Sequence, residues 1–179
     1  IPPFKLGDPV NDKGVWEIDN AGGLHAGFAF ETEPLAPLPG FSGAPINALV
    51  MLDLEGNFLD VRLIEQNEPI FVSGLGQAPF DAFFTQYRGR NIADTMVVGT
   101  PYGGGTEGGS LVYLEGVTKA TASVRIAHES VLAATLQIAR EKMHGVASGP
   151  PVFPDPEHAE TLTWADLVAQ GIARRLTVS

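Results

Sequence analysis

The residue types best suited to chemistry lie at residues 115–123, just before the longest predicted helix. Hydroxyls and small side chains are dense there, and Lys119 adds a positive charge. A helix N-terminus presents unpaired N–H groups and the positive end of the helix dipole, and both favour an anion. The segment therefore suits a phosphate group. The alternative is a plain capping cluster, with Thr121 or Ser123 as the cap, and the residues alone favour this alternative.

A glycine-rich motif at residues 103–108 does not have the context of a nucleotide site. Gly103, Gly105 and Gly108 satisfy G-x-G-x-x-G, but the next segment, 110–114, has the pattern of a strand. A dinucleotide site needs a helix at that point, to bring N–H groups to the pyrophosphate. We therefore expect a flexible hairpin loop, with a loop that closes over a ligand as the alternative. The chain also has no Gly-Lys-Ser/Thr P-loop.

The histidines and serines give little support for a metal site or a hydrolase. No H-x-x-x-H or H-E-x-x-H spacing connects the four histidines, and no G-x-S-x-G nucleophile motif occurs. Ser42 and Gly43 lie in a turn that lacks the second half of that motif. We expect His128 to be a half-buried histidine with satisfied hydrogen bonds. A hydrolase using Ser42 or His128 is kept as a third alternative for the function.

The composition excludes several partners and cofactors. The 179 residues include 21 acidic and 11 basic side chains, and the formal net charge of -10 argues against nucleic acid. Because the chain has no cysteine, it holds no disulfide, cysteine zinc site or cysteine-bound iron–sulfur cluster. No apolar run approaches the roughly 18–20 residues of a transmembrane helix, so this segment should not be embedded in a membrane. The chain begins at Ile1, which is typical of a mature or trimmed segment.

Four segments have the patterns of strands, and they do not alternate with helices in a βαβ order. Apolar and alternating patterns at 46–54 and 58–65 predict a hairpin around the turn at 55–57, and 95–99 and 110–114 predict two short strands. The 21 glycines and 14 prolines argue against a mostly helical protein. We predict the α+β class, with an antiparallel or mixed sheet and flanking helices.

Two helices are predicted near the residues that could do chemistry. Phe80, Phe83, Phe84 and Tyr87 recur at the spacing of one helix face, which predicts an aromatic stripe that packs in the core. Residues 127–143 form the best helical pattern of the chain, with Arg140 and Lys142 in its last turn.

Residues 115–121 resemble the flavinylation motif of FMN-binding domains, which occur in Rnf and Nqr electron-transport subunits and in NosR/NirI regulators. The motif runs acid, Gly, any residue, Ser/Thr, Gly, Ala, Thr, and in that family the last Thr is esterified to the FMN phosphate. Thr121 matches this last position. Two positions depart from the motif: Glu115 replaces Asp, and Lys119 replaces Gly, the residue that permits a positive φ.

The resemblance extends over residues 40–178. The Glu68-Pro69 step resembles the Glu-Thr-Pro-Gly corner of the Nqr and Rnf subunits, and residues 164–178 are similar to the segment that precedes the membrane part of NosR. The further blocks that resemble NosR are 40–46, 50–56, 65–70, 74–76 and 87–89.

The resemblance implies FMN as a cofactor, held by a phosphoester to the Thr121 hydroxyl. The motif and its flank would surround the phosphate, whereas two other segments would contact the ring. The first set is Glu115, Gly116, Val117, Thr118, Lys119, Ala120 and Ser123; the second is Glu68, Pro69, Ile70, Ser42 and Gly43.

The resemblance also implies a parent protein. We expect an N-terminal extension, partly irregular, at 1–39, an FMN-binding domain at 40–147, and a connector with a short helix and strand at 148–179 that leads toward a membrane part. The domain would lie on the periplasmic or other extracytoplasmic face. It would be modified by an FAD-dependent flavin transferase and would exchange electrons with partners in the membrane or periplasm, with nitrous oxide reductase as one candidate.

Two functions follow from these observations. The first is an electron-transfer flavoprotein domain of a NosR-like membrane protein that supports nitrous oxide reductase activity or maturation. The second is a binding or structural sensor domain of the same family without flavin, because Lys119 interrupts the motif. We identify no substrate reaction for either.

Overall fold

A computed structural model describes residues 4–99 and 111–143 of the chain. A five-stranded antiparallel sheet forms one layer, with the strands in chain order and each strand paired with the next. The strands are β1 (Lys5–Asn11), β2 (Val15–Asp19), β3 (His25–Glu31), β4 (Asn47–Asp53) and β5 (Phe58–Glu65). The predicted hairpin is confirmed, since β4 and β5 pair around the turn at 54–57.

Residues 5–31 differ from the partly irregular extension that we expected at 1–39. They form β1, β2 and β3 and lie in the same sheet and compact unit as β4 and β5. Residues 1–27 are rich in glycine and polar residues and have weak periodicity. One physical cause lies at Gly27, whose φ is +156° and where an added Cβ would lie 1.9 Å from the Leu52 carbonyl oxygen. Two backbones approach closely there, so the strand has no side chain at a position where a strand pattern would show one.

Two helices pack against the sheet and enclose the core. Helix α1 (Ala78–Thr85) packs on β5, and the long helix α2 (Thr121–Lys142) packs on β4. The predicted aromatic stripe is core: Phe80, Phe83, Phe84 and Tyr87 are all at most 1% exposed. A π-helical turn at Phe71–Leu75 leads into α1. The α+β class is confirmed.

A second, two-stranded sheet pairs β6 (Thr95–Val98) with β7 (Leu111–Leu114), and the two strands are parallel. The expected hairpin loop between them is therefore wrong, because a hairpin joins antiparallel strands. The glycine motif itself, at 103–108, lies outside the described residues, as do the predicted connector, helix and strand of 148–179.

Helix α2 begins six residues earlier than predicted. Its N-cap is Ala120, and no side chain caps it, so the expected cap by Thr121 or Ser123 is wrong. Ser123 is instead buried and bonded elsewhere. In the described part of the chain, neither helix is long and apolar enough to cross a membrane.

Candidate cofactor site

A tight turn at residues 117–120 connects β7 to α2. The Ala120 N–H donates to the Val117 carbonyl oxygen at 3.0 Å, and Lys119 has a φ of +71°. A four-residue turn with a positive φ at its third residue follows the pattern of a type II turn, which favours glycine there. Among the described residues, Lys119 is the one non-glycine residue that has a positive φ. The turn thus needs the backbone conformation that the motif's glycine permits.

The turn delivers Thr121 to the first position of α2 with its side chain exposed. The first helical hydrogen bond runs from the Val124 N–H to the Ala120 carbonyl oxygen at 3.0 Å. The amides of residues 121–123 have no partner among the described residues. An accessible hydroxyl therefore stands beside three free donors, an arrangement that suits a phosphate ester.

Glu68 joins the start of α2 to two other segments. Its carboxylate is fully buried; Oε1 accepts from the Ser42 N–H at 3.0 Å, and Oε2 accepts from the Ser123 hydroxyl. Gly40 lies so close that an added Cβ would be 2.4 Å from Oε1. Buried carboxylates are costly unless hydrogen-bonded. These two bonds therefore fix the turn at 40–44 against residue 123, two positions beyond Thr121.

A cavity of about 460 Å³ opens beside the start of α2, and we call it the Phe41 cavity. Its walls come from the same three segments that Glu68 holds together. They are Phe41, Pro69, Ile70, Ser73, Lys119, Ala120, Ala122 and Ser123. The lining is mainly apolar, with a few polar groups at the α2 end, as is typical of a cofactor pocket.

A second cavity, of about 480 Å³, lies on the other side of the motif, and we call it the Glu115 cavity. It is lined by residues 115–118 together with Leu75, Pro79, Ala82, Phe83 and Gln86. The Gln86 amide fixes this wall: it donates to the Glu115 carbonyl oxygen at 2.9 Å and accepts from the Glu115 N–H at 2.7 Å. Just after β7 ends, the Gln86 side chain thus makes the two backbone hydrogen bonds to Glu115 that a neighbouring strand would otherwise make.

The structure places most of the predicted site residues in two groups, while Thr121 lines neither cavity. Lys119, Ala120 and Ser123 meet Pro69 and Ile70 at the Phe41 cavity, with Ser42 hydrogen-bonded behind them and Gly43 in the same turn. Glu115, Gly116, Val117 and Thr118 line the Glu115 cavity instead. Glu68 is enclosed, so it supports the cavity wall through its neighbours. Which of these residues bind a cofactor stays a prediction.

Sequence reasoning missed Phe41, Ser73 and Gln86. Phe41 gave a signal, because a large aromatic side chain stands in a glycine-rich turn, and it is 76% exposed. Gln86 gave none, since its bond to Glu115 spans 29 residues and depends on the tertiary fold. Ser73 lies in the π-helical turn, which no periodicity predicted.

His128 is a core residue. Its Nδ1 lies 2.6 Å from the Tyr87 hydroxyl and its Nε2 lies 3.1 Å from the Met96 carbonyl oxygen. A carbonyl only accepts, so Nε2 carries the proton and the Tyr87 hydroxyl donates to Nδ1. Burial lowers the pKa of His128 and raises that of Tyr87. The predicted satisfied histidine is found, and it is more deeply buried than expected.

The geometry does not support the hydrolase alternative. Both ring nitrogens of His128 are bonded to Tyr87 and Met96, so neither is left to activate a serine. The Ser42 hydroxyl accepts from the Ala44 N–H at 3.3 Å within its own turn. Among the described residues, no group of three or more His, Asp or Glu side chains could hold a metal ion.

Known proteins resemble this chain over most of its length. It is 30% identical over 179 residues to the regulatory protein NosR of Pseudomonas aeruginosa, covering 98% of this chain and 24% of that protein. The NosR of Stutzerimonas stutzeri is 30% identical over 155 residues, covering 84% of this chain and 21% of the relative. The protein NirI of Paracoccus denitrificans is 25% identical over 164 residues, with coverages of 92% and 22%.

No protein-family model matches the chain. The crystal structure of NqrC from Shewanella oneidensis superposes with a TM-score of 0.45 at 15% identity, covering 76% of this chain and 64% of that one. The chain spans less than a quarter of the length of the curated relatives it matches. Over that span, it belongs to the family of the NosR and NirI proteins.

Proposed function

We propose that this domain carries FMN as a phosphoester on Thr121 and works as an electron-transfer flavoprotein module. The observation that carries the proposal is the backbone at residue 119. The flavinylation motif has glycine at this position, and here the chain adopts the positive φ that glycine permits, even with Lys119 in place. Residue 119 thus has the backbone conformation that suits the glycine of the motif, although the residue here is lysine.

The residues around Thr121 fit an FMN phosphoester. The Thr121 side chain is exposed, its neighbours Ala120 and Ala122 are small, and free amides stand beside it at the positive end of a 22-residue helix. Those amides would hold the phosphate oxygens, and the exposed Thr118 hydroxyl lies one turn before them. When bound, the flavin supplies the redox chemistry, which the protein's own side chains cannot.

The parent protein is the second part of the proposal. We infer a NosR-like membrane protein with this domain on its extracytoplasmic face, where it supports the activity or maturation of nitrous oxide reductase. A tether suits that location, because it keeps the local flavin concentration independent of the surrounding solution. An FAD-dependent flavin transferase would attach the cofactor, and redox partners would lie in the membrane or periplasm.

Intact-protein mass spectrometry tests the flavin. After coexpression with an FAD-using, Mg²⁺-dependent flavin transferase, the domain should gain the mass of FMN minus one water, and peptide mapping should locate it on Thr121. Thr121→Ala should remove the adduct, and Thr95→Ala, a matched control at an exposed threonine of β6 outside the motif, should keep it. An unmodified domain under these conditions would refute the flavin proposal.

The second candidate is a flavin-free binding or structural sensor domain, and Lys119 is the observation that favours it. A lysine in place of the motif's glycine puts a long charged chain next to the acceptor hydroxyl. In that case the coexpressed protein stays colourless, and Lys119→Gly restores the adduct. The same mass measurement on both proteins therefore separates the two candidates.

A further inference from the structure

Two cavities are lined by residues adjacent to Thr121 in the chain, and a flavin tethered there could place its ring in either one. The Phe41 cavity lies beside residues 119–123, and the Glu115 cavity lies beside residues 115–118. Both have the size of small-molecule pockets and both are mainly apolar. Size and polarity therefore do not decide between them, whereas the charges at their rims differ in sign.

Lys119 lines the Phe41 cavity, and Glu115 lines the Glu115 cavity. Both side chains belong to exposed residues, and neither forms a salt bridge among the described residues. Reduction of a flavin by two electrons with uptake of one proton leaves the ring with one extra negative charge. A nearby ammonium stabilises that product, and a nearby carboxylate destabilises it.

The Phe41 cavity also has an exposed aromatic side chain at its rim. Phe41 is 76% exposed at its rim, and Pro69 and Ile70 form the wall behind it. An exposed aromatic side chain of this kind can cover a planar π-system, which gains stacking contacts and loses water. The cavity thus combines an exposed aromatic residue, an apolar wall and a cation two residues before Thr121.

We infer that the isoalloxazine ring occupies the Phe41 cavity and that Lys119 raises its reduction potential by stabilising the reduced, negatively charged ring. This inference rests on the proposed flavin at Thr121 and deepens it. It also gives a reason for a strained lysine at residue 119: the positive φ costs free energy, and the ammonium gives the reduced cofactor a favourable charge partner.

Lys119 is the charged residue among those that line the cavity. Glu68 lies behind the wall, with both oxygens hydrogen-bonded to Ser42 and Ser123. Arg125 follows one turn later on the exposed face of α2. Glu115 lines the other cavity.

Spectroelectrochemical titration of the flavinylated domain measures the effect. The titration uses Lys119→Gln, which removes the charge, and Lys119→Arg, which keeps it. Lys142→Gln is the matched control, because it makes the same charge change about 30 Å away along α2, well beyond a Debye length of about 8 Å. For a two-electron couple, a tenfold change in relative affinity corresponds to about 30 mV.

We expect Lys119→Gln to weaken the preference for the reduced ring by about tenfold, which lowers the midpoint potential by about 30 mV. Lys119→Arg and Lys142→Gln should leave the potential unchanged, and 1 M salt should shrink the difference. Phe41→Ala should expose the ring and increase quenching of its fluorescence by iodide. Equal potentials in the wild-type and Lys119→Gln proteins would overturn the inference even with FMN firmly on Thr121.

Loss of the proposed function is a separate outcome. If the mass spectrum shows no adduct on Thr121, the same inference is tested with free FMN and excess apoprotein. Reduced FMN should bind more tightly than oxidised FMN to the wild type, and Lys119→Gln should remove about tenfold of that preference. No difference between the two proteins, or no binding of FMN at all, would overturn the inference.

Discussion

Replacing Lys119 with glycine should stabilise the domain, although it deletes a whole side chain. Lys119 has a φ of +71° and sits at the third position of a tight turn. An L-residue in this region costs roughly 1–2 kcal/mol, which glycine avoids. Glycine in turn gives the unfolded chain more freedom, which costs about 0.4–1 kcal/mol. With the middle of each range, the difference is a gain of about 0.8 kcal/mol in the free energy of unfolding.

Equilibrium unfolding in urea, followed by circular dichroism on the apoprotein, measures this gain. The midpoint should rise at unchanged slope, and the melting temperature should rise by about 1–4 °C for a chain of this size. Lys119→Ala is the control, because it removes the same side chain and keeps the backbone strain. It should change the free energy of unfolding by less than about 0.5 kcal/mol.

The stabilities of Lys119→Gly and Lys119→Ala together test whether residue 119 is strained. Strain predicts that Lys119→Gly is clearly more stable than Lys119→Ala, with Lys119→Asn between them because Asn tolerates the left-handed region. If Lys119→Gly proves no more stable than Lys119→Ala, the turn does not hold residue 119 in a strained conformation. The coincidence between motif and backbone, on which the proposed function rests, would then be lost.

Three further outcomes test the core and the clamp beneath the site. Phe84→Ala should cost about 3–5 kcal/mol, measured by urea unfolding, because Phe84 is 1% exposed and stacks on Phe80; a cost below about 1 kcal/mol would contradict its core position. Glu68→Ala should cost about 1–3 kcal/mol by leaving the part-buried Ser42 amide and the buried Ser123 hydroxyl without an acceptor, whereas Glu68→Gln should cost less because its side-chain amide still offers hydrogen-bond partners. Burial lowers the pKa of folded His128, so the unfolded chain takes up the proton first and stability should fall below about pH 6.5 by at most about 1.4 kcal/mol per pH unit until the folded pKa is passed. His128→Gln should lose this pH dependence and the exposed-site control His25→Gln should keep it.

The elements that could be predicted from the sequence are those in which buried apolar residues recur at the spacing of a helix or a strand. The aromatic stripe of α1 and the β4–β5 hairpin repeat apolar residues at the spacing of their secondary structure, so the core they form could be read from the sequence. Strands β1 to β3 could not. Their irregular register, with bulges near Pro9 and Ile18 and a glycine at residue 27, breaks the alternation that predicts a strand.

The site could be predicted in part because its chemistry is local. Residues 115–123 are contiguous, so their types and order were visible before the fold was known. The parallel pairing of β6 and β7 could not be predicted from the sequence, because strand direction depends on the path of the chain between them. The start of α2 was missed for a related reason: its cap is Ala120, which offers no capping side chain, and Ser123 bonds to Glu68 instead.

Glu68 connects the stability of the domain to its proposed function. Its carboxylate hydrogen-bonds both the turn that carries Phe41, at the Ser42 N–H, and the helix that carries Thr121, at the Ser123 hydroxyl. Without Glu68, this link between the turn and the helix would be lost. The ester and the ring would then be held by segments free to separate. A Glu68→Ala protein should therefore still accept FMN on Thr121 when folded, because the turn at 117–120 forms from local contacts. Its flavin should be quenched more by iodide than in Glu68→Gln, because the wall of the Phe41 cavity would no longer be fixed against α2. Equal quenching in both variants would mean that the cavity keeps its shape by apolar packing alone.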